Sequence, residues 1–241
     1  MGRAPACGAF DTGRHREGGT VSDTDGLLEG LPVLQRLALS YAPARAAPTT
    51  LALLALDVRL AAIVRSASEP MLAQIRLAWW REQLSKDWPE QPAGEPLLQI
   101  LQDWEGGSQP LVGLINGWEE MTGEAPLASS ALEALADARA KAFVALADQF
   151  GTAADREPAL RLGQNWALAD IAAHLSHPEE RRVASQLARA RDWRVTPMSR
   201  NMRPLAILHG LAARATRRGE NLHELSPSAM FTVLRLGFFG R

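Results

Sequence analysis

Asp57, Arg76 and Arg139 carry charges that a helical reading turns toward packed surface, where a charge either does chemistry or fixes structure. On a projection of about 100° per residue, Asp57 falls among Leu53, Ala61 and Val64. A lone carboxylate is costly to bury, so this one requires a partner or a raised pKa. Arg76 falls between Leu72, Trp79 and Trp80 on the following helix, and the expected arrangement pairs it with Asp57 across a shared cavity. Such a pair fixes helix register or anchors the polar head of a ligand. Arg139 lies near the centre of a stripe formed by Leu132, Leu135, Phe143, Leu146 and Phe150. Turned inward, a guanidinium grips a carboxylate or a diphosphate through two parallel hydrogen bonds; turned outward, it lays its stem along the bundle surface. Trp79 and Trp80 are neighbours, so one ring joins the core while the other lines a cavity or an interface, and Trp80 is the cavity candidate.

A second group, Asp170, His174 and His177, has the i, i+4, i+7 spacing of a zinc or iron site, with Trp166 on the same face. Pro178 ends that helix near Ser176 and leaves His177 in a turn, and no fourth ligand is evident. Capping or lining a cavity is therefore the expected role, and no metal is expected. Glu133 and Asp137 lie over about 90° from the apolar face of their helix, on a solvated side. The pairs Glu120/Glu124 and Glu220/Glu224 are broken by Gly123 or follow Gly219. No Walker A loop, dinucleotide glycine fingerprint, G-x-S-x-G or metalloprotease helix occurs.

The elements that position these residues read as helices throughout. Apolar residues recur at helical period over 27–41, from Thr49 or Thr50 to Ser66, from a Ser68 cap to Leu84, and over 130–150, 156–175, 178–191 and 204–218. Weaker helices cover 96–104 and 109–121, and a last one opens after Ser226 and Pro227. No strand-like alternation appears. With 241 residues, 46% of them hydrophobic, the chain is long enough to bury one core unaided. Residues 1–24 read as a disordered tail and 25–241 as one all-α domain of about ten helices. The apolar run from Leu51 to Val64 is shorter than the roughly 20 residues of a spanning helix and is interrupted by Asp57 and Arg59, which makes it a buried helix. Cys7 is the only cysteine, which excludes an intrachain disulfide and points to a reducing compartment. A net charge of −1 gives no general attraction to nucleic acid. The basic run Arg181, Arg182, Arg189, Arg191, Arg194, Arg200 and Arg203 is diluted by Glu179, Glu180 and Asp192, so a solvated face is expected there. The closing Phe231, Val233, Leu234, Leu236, Phe238 and Phe239 dock into the bundle or meet a membrane or a partner.

The stretch S-E-P-M-x-x-x-I-R-L-x-W-W-R-x-x-L from Ser68 to Leu84 resembles the opening helix pair of the squalene/phytoene synthase family, and most of all its divergent branch, which includes assembly factors for respiratory complex I. L-G-Q-N-W-A-L-A-D-I-A-A-H, Leu162 to His174, resembles the second motif helix of that family, and Arg203 to Leu208 its closing helix. The resemblance implies an isoprenoid synthase fold with a central cavity. Active members join two prenyl diphosphates head to head, using two acidic clusters that bridge Mg²⁺ to the leaving group. On this sequence the first cluster becomes Ala61, Ala62 and Arg65, and the second becomes His174 and Pro178.

No carboxylate remains at these positions to hold Mg²⁺. The expectation is thus a non-catalytic member that holds an apolar, isoprenoid-type ligand or serves as an assembly scaffold, in the cytoplasm or peripheral to the inner membrane. No cofactor is expected. The alternative is a prenyl transferase with altered metal ligands, which would need Mg²⁺ and rely on Asp57 and Asp170. Asp57, Arg65, Arg76, Trp80, Arg139, Trp166, Asp170 and His174 are the candidate cavity residues.

Overall fold

The computed structural model describes residues 17–67, 69–92 and 94–240. Cys7, the expected Ser68 cap and residues 1–16 of the expected tail lie outside them. Among the described residues the chain is all α: α1 (Glu17–Gly30), α2 (Val33–Leu39), α3 (Ala47–Ser66), α4 (Pro70–Ser85), α5 (Pro96–Leu101), α6 (Gln109–Glu119), α7 (Ser129–Phe150), α8 (Arg156–His174), α9 (Pro178–Arg189), α10 (Arg203–Arg218) and α11 (Pro227–Phe239). The single helix expected over 27–41 is two helices. Pro32 adopts φ −54° and ψ 149°, and because it lacks an N–H it opens a new helix instead of continuing the old one. Helix α1 also begins at Glu17, within the segment read as tail. Helix α3 starts before Thr49: Pro48 occupies its first turn, and the Thr50 hydroxyl donates back to the Ala46 carbonyl at 2.7 Å instead of capping.

Helices α7 and α8 form the centre as an antiparallel pair joined by a short turn. Gly163 on α8 sits opposite Ala140 on α7, and the Gln164 amide donates to Asp137 at 3.1 Å. The turn is locked by Asp155, which accepts from the Thr152 N–H and hydroxyl and from the Ser199 N–H. Burial would raise the Asp155 pKa, but these donors outweigh it and hold the carboxyl below its usual range. Helix α6 packs on α7; α9 and α10 pack on α8; α11 covers α10; and α3 crosses the other end of the bundle against α4, α5 and α6. Helix α11 docks through Ala229, Val233 and Leu236, with Gly237 against the Tyr41 ring, and leaves Phe231, Leu234, Phe238 and Phe239 exposed.

By length and composition α3 could cross a membrane, yet 67% of its most apolar 18-residue window is buried inside the bundle. The arginines of the basic run are largely engaged within the chain: Arg181 with the carbonyls of Leu175 and Ser176, Arg182 with Glu179, Arg194 with Asp192, and Arg203 with the Phe238 carbonyl.

Two helix crossings depend on missing side chains. A Cβ at Gly117 would stand 2.6 Å from Ala138 Cβ, and one at Gly163 would stand 2.9 Å from Ala140 Cα. These contacts bring α6 and α8 against α7 on either side of Arg139. Gly163→Ala is expected to lower stability by about 1 kcal/mol or more, because overpacking of roughly 1–3 kcal/mol exceeds the gain in helix propensity. Gly113→Ala, on α6 with no atom within 4 Å of the new Cβ, should raise stability by roughly 0.5–1 kcal/mol; urea unfolding of both variants reads the opposite signs.

His209 on α10 is stacked on Trp193 with ring centroids 5.3 Å apart, and neither of its ring nitrogens has a hydrogen-bond partner. Burial, then Arg161 and Arg217, lower its pKa to about 4, against a weaker opposing pull from Asp192. The fold therefore holds the neutral ring, and the associated stability is complete above pH 6.5 and is lost as the pH falls toward 4. Between pH 7.5 and pH 5 the loss should be roughly 2 kcal/mol. Urea unfolding at the two pH values should reveal it, and His209→Leu should remove that part of the difference.

Candidate functional site

The inward charges meet at one point. Arg139 on α7 lies between Asp57 on α3 and Asp170 on α8, and the three are 5%, 4% and 7% exposed. Arg139 Nε and Nη2 reach the two oxygens of Asp57 at 2.9 Å each, and Nη1 donates to Asp170 Oδ2 at 2.9 Å. Asp57 Oδ1 also accepts from the Trp118 indole N–H at 2.8 Å. The guanidinium lies 4.9 Å from the Trp118 ring centre and 5.3 Å from that of Trp166, so it is enclosed by two indoles as well as two carboxylates. Burial alone would loosen its proton, but the charges of Asp57 and Asp170 outweigh that and raise its pKa above the usual arginine value. The group carries one carboxylate more than it has cations.

This triad forms the floor of an open cavity of about 290 Å³. Ala61 and Arg65 of α3 and His174 of α8 stand in its wall, joined by Gln35 of α2 and Glu180 of α9. Glu180 is buried and accepts from the Leu127 N–H at 2.8 Å. His174 turns its Nδ1 to the Asp170 carbonyl at 2.9 Å and lies 3.5 Å from Asp170 Oδ1, with its ring 4.7 Å from that of His223. Burial, and then His174, lower the His223 pKa.

Several expected placements differ. Arg76 does not pair with Asp57. Helix α4 buries Ala73, Leu77, Trp80 and Leu84, a stripe centred about 70° to one side of Arg76, and Leu72 and Trp79, expected inside, are exposed. Arg76 instead borders a surface hollow with Ala62, Arg59 and Trp79, so Ala62 is also absent from the wall of the main cavity. Trp80 is buried and borders that same hollow, with Arg59 6.0 Å from its ring centre. His177 stands at the N-terminus of α9 with Nδ1 buried and unpartnered, apart from His174. Asp137 is engaged by Lys141 at 2.7 Å, and Glu220 pairs with Arg214 and Arg218. Among the described residues no group of three or more His, Cys, Asp or Glu side chains could hold a metal ion. Trp118, Gln35 and Glu180 belong to the site without having been foreseen. Trp118 sits on a helix of weak sequence signal, and no feature of the sequence alone indicates that its indole N–H meets Asp57.

The fold and site together define an all-α bundle with a buried acid–base–acid triad beneath an open cavity. No protein-family model, curated protein or solved structure matches the chain.

Removing Arg139 leaves two buried carboxylates facing each other without a cation. Arg139→Met should cost about 3–5 kcal/mol in urea unfolding. Arg139→Lys should recover little of this, because a single ammonium lacks the planar fork that serves both acids.

Proposed function

We propose that the chain is a non-catalytic helical protein of the squalene/phytoene synthase type that holds an apolar small molecule in the cavity above the triad. One observation carries this reading: the guanidinium of Arg139 lies between the cavity acids, Asp57 and Asp170, and engages both. A divalent ion placed there would have to displace a cation already held by three short contacts. The residues that correspond by resemblance to the metal motifs also support the reading, since Ala61, Arg65 and His174 line one cavity and none of them is a carboxylate. Arg65 would add repulsion toward a second cation.

A second reading, an assembly scaffold, is favoured by a different observation. Met71, Leu72, Ile75 and Trp79 form an exposed apolar stripe along α4, and such stripes mark contact surfaces. It is compatible with a filled cavity and concerns the opposite side of α4 from its core stripe.

Incubation with farnesyl or geranylgeranyl diphosphate and Mg²⁺ tests the leading reading. Pyrophosphate release should stay at the protein-free background, while short prenyl alcohols change the tryptophan fluorescence to which Trp118 and Trp166 contribute. Release above background would establish the prenyl transferase alternative.

A further inference from the structure

We propose that this cavity selects an apolar molecule ending in a hydrogen-bond donor, an alcohol or a primary amine, and rejects phosphate and diphosphate heads. The inference rests on the ligand-binding reading above and names the head group that reading leaves open.

The floor of the cavity is short of hydrogen-bond donors at one carboxylate. Asp57 has a donor at each oxygen and a second at one: both oxygens meet Arg139, and Oδ1 also accepts from Trp118. Asp170 is not. Its Oδ2 receives Arg139, but Oδ1 has only His174 Nδ1 at 3.5 Å, and that nitrogen is already committed to the Asp170 carbonyl at 2.9 Å. A carboxylate oxygen at the base of a cavity is therefore short of a donor. Gln35 supplies an independent sign. It is 5% exposed, it stands in the cavity wall, and its side-chain oxygen is buried without any hydrogen-bond partner. An unpaired buried amide costs free energy until something bonds to it. A hydroxyl has one proton to give, to Asp170 Oδ1 or to the Gln35 oxygen, whereas an ammonium can donate to both oxygens.

Charge points the same way. The floor has one carboxylate in excess, and on the wall Glu180 offsets Arg65, so the cavity as a whole keeps that negative excess. The one deeply placed cation is not available to an anion, because Arg139 has carboxylates along its edge and indole rings against it. A diphosphate would bring more negative charge toward Asp170 and Glu180 with only the exposed Arg65 to receive it. At roughly 30 Å³ per water-sized volume, the cavity accommodates on the order of ten non-hydrogen atoms, the size of one ten-carbon chain.

Geraniol, geranylamine and geranyl diphosphate share that chain and differ only in the head, so titrating each into the protein by calorimetry isolates the preference. The expected order is geranylamine and geraniol at least tenfold tighter than geranyl diphosphate. Asp170→Asn should weaken geranylamine at least tenfold, with less effect on geraniol. Gln35→Met, which removes the unpartnered amide oxygen, should weaken geraniol several-fold even where Asp170→Asn does not fold. Diphosphate binding as tight as the alcohol, or alcohol binding untouched in Gln35→Met, overturns the head-group assignment while leaving the cavity reading in place. Binding of none of the three overturns the cavity reading itself.

Discussion

The bundle is organised around one desolvated guanidinium. Arg139 holds α3 and α8 to α7 through Asp57 and Asp170, and no two of these three helices can slide without uncovering a charge. A buried ion network of this kind is seldom the most stable filling of a core, since the cost of desolvation absorbs most of the attraction. Its effect is specificity. Leucine at the same positions would pack in several registers, whereas a fork with contacts of 2.9 Å to two acids accepts one.

That constraint could not be met without the small residues around it. Gly117 and Gly163 let α6 and α8 approach α7 closely, so Trp118 and Trp166 can flank the guanidinium from neighbouring helices. The indole N–H of Trp118 then satisfies an acceptor on Asp57 that Arg139 alone would leave half bonded. The polar triad and the apolar crossings are therefore one design. The crossings set the distance, and the charges set the rotation of each helix about its axis.

Periodicity made much of this legible. The helices over 130–150, 156–175, 178–191 and 204–218 follow their sequence patterns to within a few residues, because each has a strong apolar face and clear stops such as Pro178 and Gly219, whose φ of 66° ends α10. The same patterns turn Asp57 toward packed surface and put Arg139 in an apolar stripe, with its direction left open. They did not pair them. A helical projection gives a direction from one axis but not which helix lies opposite, so it pairs Asp57 with Arg76 on the next helix, although α7 supplies the partner from 82 positions further along. Projection also misplaced Leu72 and Trp79, because α4 carries apolar residues on more of its circumference than it buries. Trp118 and Gln35 were beyond reach for a related reason: their roles depend on long-range contacts, and neither has a local signature.

The composition of the site also bears on what it can bind. A cavity whose acids were free would be a cation site by default, and its ligands would be anions bridged through metal. Here an arginine supplies the positive charge covalently, fixed in place and unable to exchange. It meets both acids through three contacts of 2.9 Å. What such a floor can still offer is an acceptor, because one oxygen of Asp170 and the Gln35 amide remain under-bonded. On the proposed reading, a site of this kind is suited to recognition and gives no purchase on a phosphate bond.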